Sequence, residues 1–225
     1  DYIAHRKSNK ASRGTWKEFI TVKNRLIEYE KHTGKKLHFQ DMNLTFSDDF
    51  AVWMYGIPYE SSTIEKTFTV LKTFLNHYYK RKNEIKIQLD DIFREREFKK
   101  GKKSANPANP LTYKEFVELS KTKFESEVLE KTKDRFILQC STGLRYSDID
   151  KITPDKITKG RIMINPVKTQ ETKKENTIYI NLNKYSRAIL KKYNNDTTSL
   201  KISNQKYNLN LKTLFNKLKW EKRTS

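Results

Sequence analysis

Apolar positions along this chain recur with two periods, and the change from one to the other divides it. Trp16, Phe19, Ile20 and Ile27 fall at helical spacing behind Thr15-Trp16-Lys17-Glu18, a capping-box pattern, and Gly34 stops the run. A shorter helix is predicted from Ser47-Asp48-Asp49 through Phe50 and Trp53 to Gly56, with Pro58 in the loop that follows. Ser62-Thr63-Ile64-Glu65 is a second capping box. The helix behind it carries Ile64, Phe68, Leu71, Leu75 and Tyr78 on one stripe and Lys66, Lys72, His77, Lys80 and Arg81 on the other. A third capping box, Thr112 to Glu115, leads to Phe116 and Leu119, and Phe136 to Cys140 reads as a buried helix. Thr153-Pro154-Asp155 reads as a cap with proline at the first helical position. The period then drops to two. Arg161–Val167 and Thr177–Leu182 alternate and are rich in β-branched residues, and the polar stretch Lys168–Asn176 joins them, which predicts a β-hairpin. Helices near 183–193 and 203–219 close the pattern. It is a mainly α fold with one small β element.

The composition of the 225 residues changes abruptly between Arg94 and Pro110. Arg94 to Lys103 is dense in basic residues, and Asn106-Pro107-Ala108-Asn109-Pro110 follows, a combination that marks a domain boundary. The predicted organisation is a flexible basic arm at 1–10, a helical DNA-binding domain at 11–93, a basic, proline-containing linker at 94–110 and a second domain at 111–225. Hydrophobic residues make up only 35%, but 12% aromatics argue against disorder. Lys plus Arg outnumber Asp plus Glu by 47 to 27, a formal charge of +20, so the expected partner is a polyanion. No apolar run approaches the ~20 residues that span a bilayer, which favours nucleic acid over membrane. Cys140, the single cysteine, reads as an inert core thiol. With no internal disulfide and no signal-peptide pattern, a cytoplasmic location is expected.

The candidate chemistry centres on Ser141-Thr142-Gly143-Leu144-Arg145-Tyr146-Ser147-Asp148-Ile149. Gly143 suits a left-handed helix stop, and Ser147 suits the cap of a new helix with Asp148 in its first turn. Arg145 is then held on a short turn, where its guanidinium presents two prongs to a phosphate or carboxylate. The plainer alternative is a structural corner whose arginine pairs with a nearby acid. The lysine-rich helix face and Lys99, Lys100, Lys102 and Lys103 are either phosphate contacts or solvated surface. Other chemistries lack support. His5, His32, His38 and His77 all precede the second domain, no zinc-ligand spacing occurs, and no glycine-rich phosphate loop is present.

Thr142 to Ile149 closely resembles the first arginine box of the tyrosine recombinases, the phage-integrase family, and is most similar to integrases of bacterial mobile elements. The helical unit before the prolines resembles that family's SAM-like core-binding domain. The hairpin with Lys168-Thr169 resembles its second and third catalytic-domain strands, and Ser203 to Asn208, at the opening of this chain's last helix, is also similar to family sequences. The resemblance implies an α+β catalytic domain that cleaves duplex DNA through a 3′-phosphotyrosyl link without cofactor or metal, acting as a tetramer on DNA. It implies Arg145 as a phosphate clamp, Lys168 as the acid that protonates the leaving 5′-oxygen (with Lys173 and Lys174 as rivals), and Asp148 as the acid that holds the site together. The basic helix face and linker add Thr15, Thr63, Lys66, Lys72, His77, Lys80, Arg81, Lys99, Lys100, Lys102 and Lys103 as expected DNA contacts. Double-stranded DNA is the expected partner; no small-molecule substrate is implied.

The family's later His-x-x-Arg box and nucleophilic tyrosine have no counterpart here. Tyr179, Tyr185, Tyr193 and Tyr207 precede where that box would fall and read as packing residues. The expectation is therefore a recombinase whose catalytic domain is incomplete within these residues. A non-catalytic, recombinase-like DNA-binding factor is the alternative.

Overall fold

Aromatic packing sets the shape of the first unit. The computed structural model describes residues 2–8, 13–103, 110–166 and 177–218, and the chain divides into two units, 1–107 and 108–225. In the first, α1 (Tyr2–Ser8), α2 (Arg13–Thr33), α3 (Leu44–Tyr55) and α4 (Ser61–Tyr79) surround Phe46, Phe50, Phe68, Phe93 and Phe98. Phe46 and Phe50 stack at 5.4 Å, and Phe98 meets Phe68 edge-on at 5.9 Å. Such offset and T-shaped contacts suit the ring quadrupole. The α4 stripe is as expected, with Ile64, Phe68, Leu71 and Leu75 buried. On α2 the buried side runs through Phe19, Val22 and Tyr29, and Ile27 is exposed.

Several boundaries differ from expectation. The arm expected to be flexible is helical from Tyr2 to Ser8, because Tyr2 is buried against Phe19 and Phe74. The second helix starts at Leu44, capped by Asn43, whose side chain accepts from Phe46 N; Ser47 is buried inside it. Thr15 lies within the first turn of α2. The first residue of α4 is Ser61, so Thr63 sits in its first turn, with its N–H donating to Glu60 O at 2.8 Å.

The stretch expected as a linker is part of the first unit up to Lys103. Phe93 and Phe98 are fully buried, and the backbone between them crosses α4 as a strap. Lys72 Nζ donates to the carbonyls of Arg94 and Glu95, both at 3.0 Å. Lys99 pairs with Glu65 at 2.6 Å, Lys100 with Asp48 at 2.5 Å, and Lys102 N donates to Ser61 Oγ at 2.9 Å. Gly101 has φ +79° and touches the backbone of α4; a Cβ there would lie 2.5 Å from Ser61 O and collide with Glu65 N. Only glycine fits. The basic composition that reads as a tether is here a set of pins for a strap.

The second unit is built on α6 (Glu127–Thr142), both sides of which are buried. Ile137 joins Leu119 of α5 (Tyr113–Lys121) with Leu214 and Phe215 of α9 (Asn204–Lys217). Leu138 joins Leu144, Ile149, Ile152 and the sheet residues Ile162 and Ile164. The sheet has three antiparallel strands, β1 (Ile157–Thr158), β2 (Arg161–Ile164) and β3 (Ile178–Asn181), in which Arg161 faces Asn181 and Ile164 faces Ile178. The hairpin pairing is as expected; β1 is additional and too short to show a period. α8 (Lys184–Lys192) is capped by Asn183 and α9 by Ser203, and Thr112 and Glu115 form a reciprocal capping box on α5. α7 (Tyr146–Ile149) is a single turn between α6 and the sheet.

Two outcomes follow from the strap. Gly101→Ala should destabilise the first unit by about 2–5 kcal/mol, from left-handed strain plus overpacking, read as a lowered urea midpoint. The Lys99 ammonium donating to Glu65 holds its carboxyl below the ordinary value of 4.5. A depressed folded-state pKa stabilises above the unfolded value and loses that contribution as pH falls through the folded one. Amide exchange in residues 95–103 should therefore accelerate in acid below pH 4.5, and Glu65→Gln should flatten that response.

Candidate phosphate-binding site

The Arg145 turn is fixed from both sides. Its leading helix ends at Thr142. Gly143 takes φ 67° and its N–H donates to Gln139 O at 2.9 Å, a left-handed stop that leaves the next residues free to change direction. Leu144 is buried and Arg145 is extended, with φ −68° and ψ 155°. The Arg145 carbonyl accepts from Asp148 N at 2.9 Å and Ile149 N at 3.3 Å, so Arg145 itself is the N-cap residue of α7. Ser147, expected as that cap, lies inside the turn. The Arg145 side chain is exposed, with no hydrogen bond or ion pair to any described residue. Arg145 thus pairs with no acid among the described residues, and the arginine that does so at this corner is Arg135, ten residues earlier. Asp148 is buried, with 1% exposure, which places it in the scaffold and not on the surface.

Arg135 has no exposed surface. Its guanidinium pairs with Asp150 at 2.5 Å and donates to Tyr146 O at 2.8 Å and Leu200 O at 3.1 Å. It also lies 4.6 Å from the Tyr146 ring centroid and 5.5 Å from that of Tyr207. The Tyr146 hydroxyl donates to Ile202 O, and the Tyr207 hydroxyl donates to Gln139 Oε1 at 3.0 Å. Thr197 is buried and donates to Ile149 O at 2.5 Å and Ile152 O at 3.1 Å. These contacts bind the turn to the segment entering α9. A second charged group, Glu130, Lys133, Asp134 and Lys192, ties α6 to α8: Lys192 meets Asp134 at 2.7 Å and Lys133 meets Glu130 at 2.6 Å. Arg135 belongs to no motif that the sequence presents. A charged residue in phase with Leu138, on a helix read as buried, was the available signal.

Lys168 and its rivals Lys173 and Lys174 lie outside the described residues. Among the tyrosines, Tyr193 donates to Asp134 at 2.8 Å, and burial followed by that carboxylate pushes its phenol above the ordinary range. Burial does the same to Tyr207. Tyr185 faces the Tyr113 hydroxyl at 3.3 Å and packs edge-on against Phe116. Tyr179, expected to pack, is 64% exposed on β3 because its side of the strand faces solvent. Cys140, expected in the core, is exposed on α6.

The cations expected to contact DNA fall into two sets. Lys66 pairs with Glu18 at 2.6 Å, while Lys72, Lys99 and Lys100 hold the strap. Burial pushes the Lys72 ammonium below its ordinary pKa. His77 packs against Tyr2 and His5, and its Nε2 lies 3.2 Å from Arg81; burial, then Arg81, push its imidazole down. Lys80, Lys102 and Lys103 are exposed and their ammonium groups have no ion pair among the described residues. Among the described residues no group of three His, Cys, Asp or Glu could hold a metal ion, and no helix is long and apolar enough to cross a membrane.

Residues 1–89 match the family model of the phage integrase SAM-like domain. No curated protein matches the chain. Among solved structures, the chain is similar to the integrase of the Tn1549 transposon, determined in complex with a circular intermediate DNA, with a TM-score of 0.52 and 15% identity. The likeness covers 76% of this chain and 64% of that one, so the chain spans less than two thirds of that integrase's length. The first unit thus matches the phage integrase SAM-like domain, and the fold of the chain is similar to that of the Tn1549 integrase.

Proposed function

We propose that this chain is the DNA-binding and phosphate-clamping part of a site-specific tyrosine recombinase, an integrase of a bacterial mobile element. The observation that carries this reading is Arg145, an exposed guanidinium with no partner among the described residues, on a turn whose neighbours Leu144, Asp148 and Ile149 are buried. A fork held this way meets the two non-bridging oxygens of a phosphodiester and stabilises the charge that builds on them as the phosphorus is attacked. In this reading Lys168 gives its proton to the departing 5′-oxygen and Asp148 stiffens the turn beneath Arg145. The attacking tyrosine has no match among the 225 residues, so the assay uses the full gene product. Duplex DNA is the partner, bound largely through its phosphates given the +20 charge. The working form is a tetramer on DNA in the bacterial cytoplasm, needing neither cofactor nor small-molecule substrate.

A second reading is a recombinase-like DNA-binding factor without catalysis. It is favoured by the tyrosines themselves: Tyr193 and Tyr207 donate to Asp134 and Gln139, and Tyr146 to Ile202 O.

A nicked suicide duplex separates the two. The recombinase should trap a covalent protein–DNA adduct. Arg145→Ala should slow that step by about 10²–10³-fold while leaving duplex affinity within a few fold. No adduct from the wild-type gene product overturns the first reading. Lys102→Ala with Lys103→Ala should weaken binding uniformly across sequences and reduce the salt slope of log K by about 2; an unchanged slope would remove both lysines from the interface.

A further inference from the structure

We propose that Arg135 is the positioning residue for Arg145, acting through α7. The inference rests on the reading of Arg145 as a phosphate clamp. A single helical turn has no stability of its own, since nucleation costs more than one hydrogen bond returns. α7 is such a turn, and Arg145 is its N-cap. Arg135 grips α7 at both ends: it donates to the carbonyl of Tyr146, the first helical residue, and pairs with Asp150, the C-cap residue. A third contact, to Leu200 O, anchors the same guanidinium to the segment before α9. The Tyr146 ring lies against the Arg135 guanidinium, and the Tyr146 hydroxyl reaches Ile202 O in that segment. The direction of Arg145 is therefore set by a group that never meets solvent and never meets DNA.

A lysine at position 135 would keep a cation for Asp150 but lose the planar fork that serves Asp150 and Tyr146 O together. Arg135→Met with Asp150→Leu removes both charges, so no lone buried ion remains to unfold the unit. Both are made in the full gene product. Each should slow covalent-adduct formation about tenfold to a hundredfold, the size of effect that a small misplacement produces, with duplex affinity unchanged within about twofold. In an Arg145→Lys background, where no fork remains to be aimed, the same changes should cost less than about threefold more. Amide exchange over Leu144–Ile149 should accelerate while α8 keeps its protection. A folded variant with wild-type adduct rate and wild-type exchange overturns the proposal, as does a full additive loss in the Arg145→Lys background. A wild-type protein that forms no adduct overturns the recombinase reading instead, and the exchange comparison then decides the role of Arg135 by itself.

Discussion

A guanidinium without water must find its acceptors inside the protein, and in the second unit Arg135 finds them on two separate segments, α7 and the approach to α9. Moving such an ion out of water costs several kcal/mol, and only close, well-aligned partners offset that cost. Asp150, Tyr146 O and Leu200 O supply them. The consequence is geometric. α6, α7 and the approach to α9 must keep one arrangement for the charge to remain satisfied, and loss of Asp150 would leave two carbonyls facing an ion they cannot neutralise. The apolar clusters around Leu138 and Ile137 pack the unit but are tolerant of small shifts. The buried ion is less tolerant, so it sets the register in which those clusters form.

In the first unit charge has a different role. The strap carries little apolar side-chain volume between Phe93 and Phe98, and what holds its course is a series of lysines anchored to carbonyls or carboxylates. Pairs this exposed are individually weak and screened by salt. Their effect is to choose one path for a segment already tethered by two buried rings. Lys80, Lys102 and Lys103 form no such pair among the described residues. Net charge therefore overstates the number of cations available to DNA, because part of it is internal fastening.

Much of the fold was legible because period and capping coincided. Thr112 with Glu115, the α4 stripe, the Gly143 stop and the β2–β3 hairpin each combine a local signal with a hydrophobic phase that agrees with it. The failures came where long-range packing overrode a local signal. Asn43 displaced Ser47 as a cap because Ser47 is buried among the aromatics. Phe98 turned a lysine-rich stretch into core-bound structure, although its flanks have the composition of a linker. Tyr2 did the same for the amino-terminal helix.

At the site, Arg145 and Asp148 were visible because they lie in one short motif, and Arg135 was not, because two of its partners are carbonyls and one of these is 65 residues away. A backbone oxygen leaves no mark in the sequence. Asp148 and Asp150 lie only two residues apart. Across one helical turn they fall on different sides, Asp148 buried within the scaffold and Asp150 at the end of α7 facing Arg135. Two arginines and two aspartates within sixteen residues thus divide the work by exposure. The buried arginine ties the scaffold together, and the exposed one has no hydrogen bond or ion pair among the described residues, the condition that the proposed phosphate clamp requires.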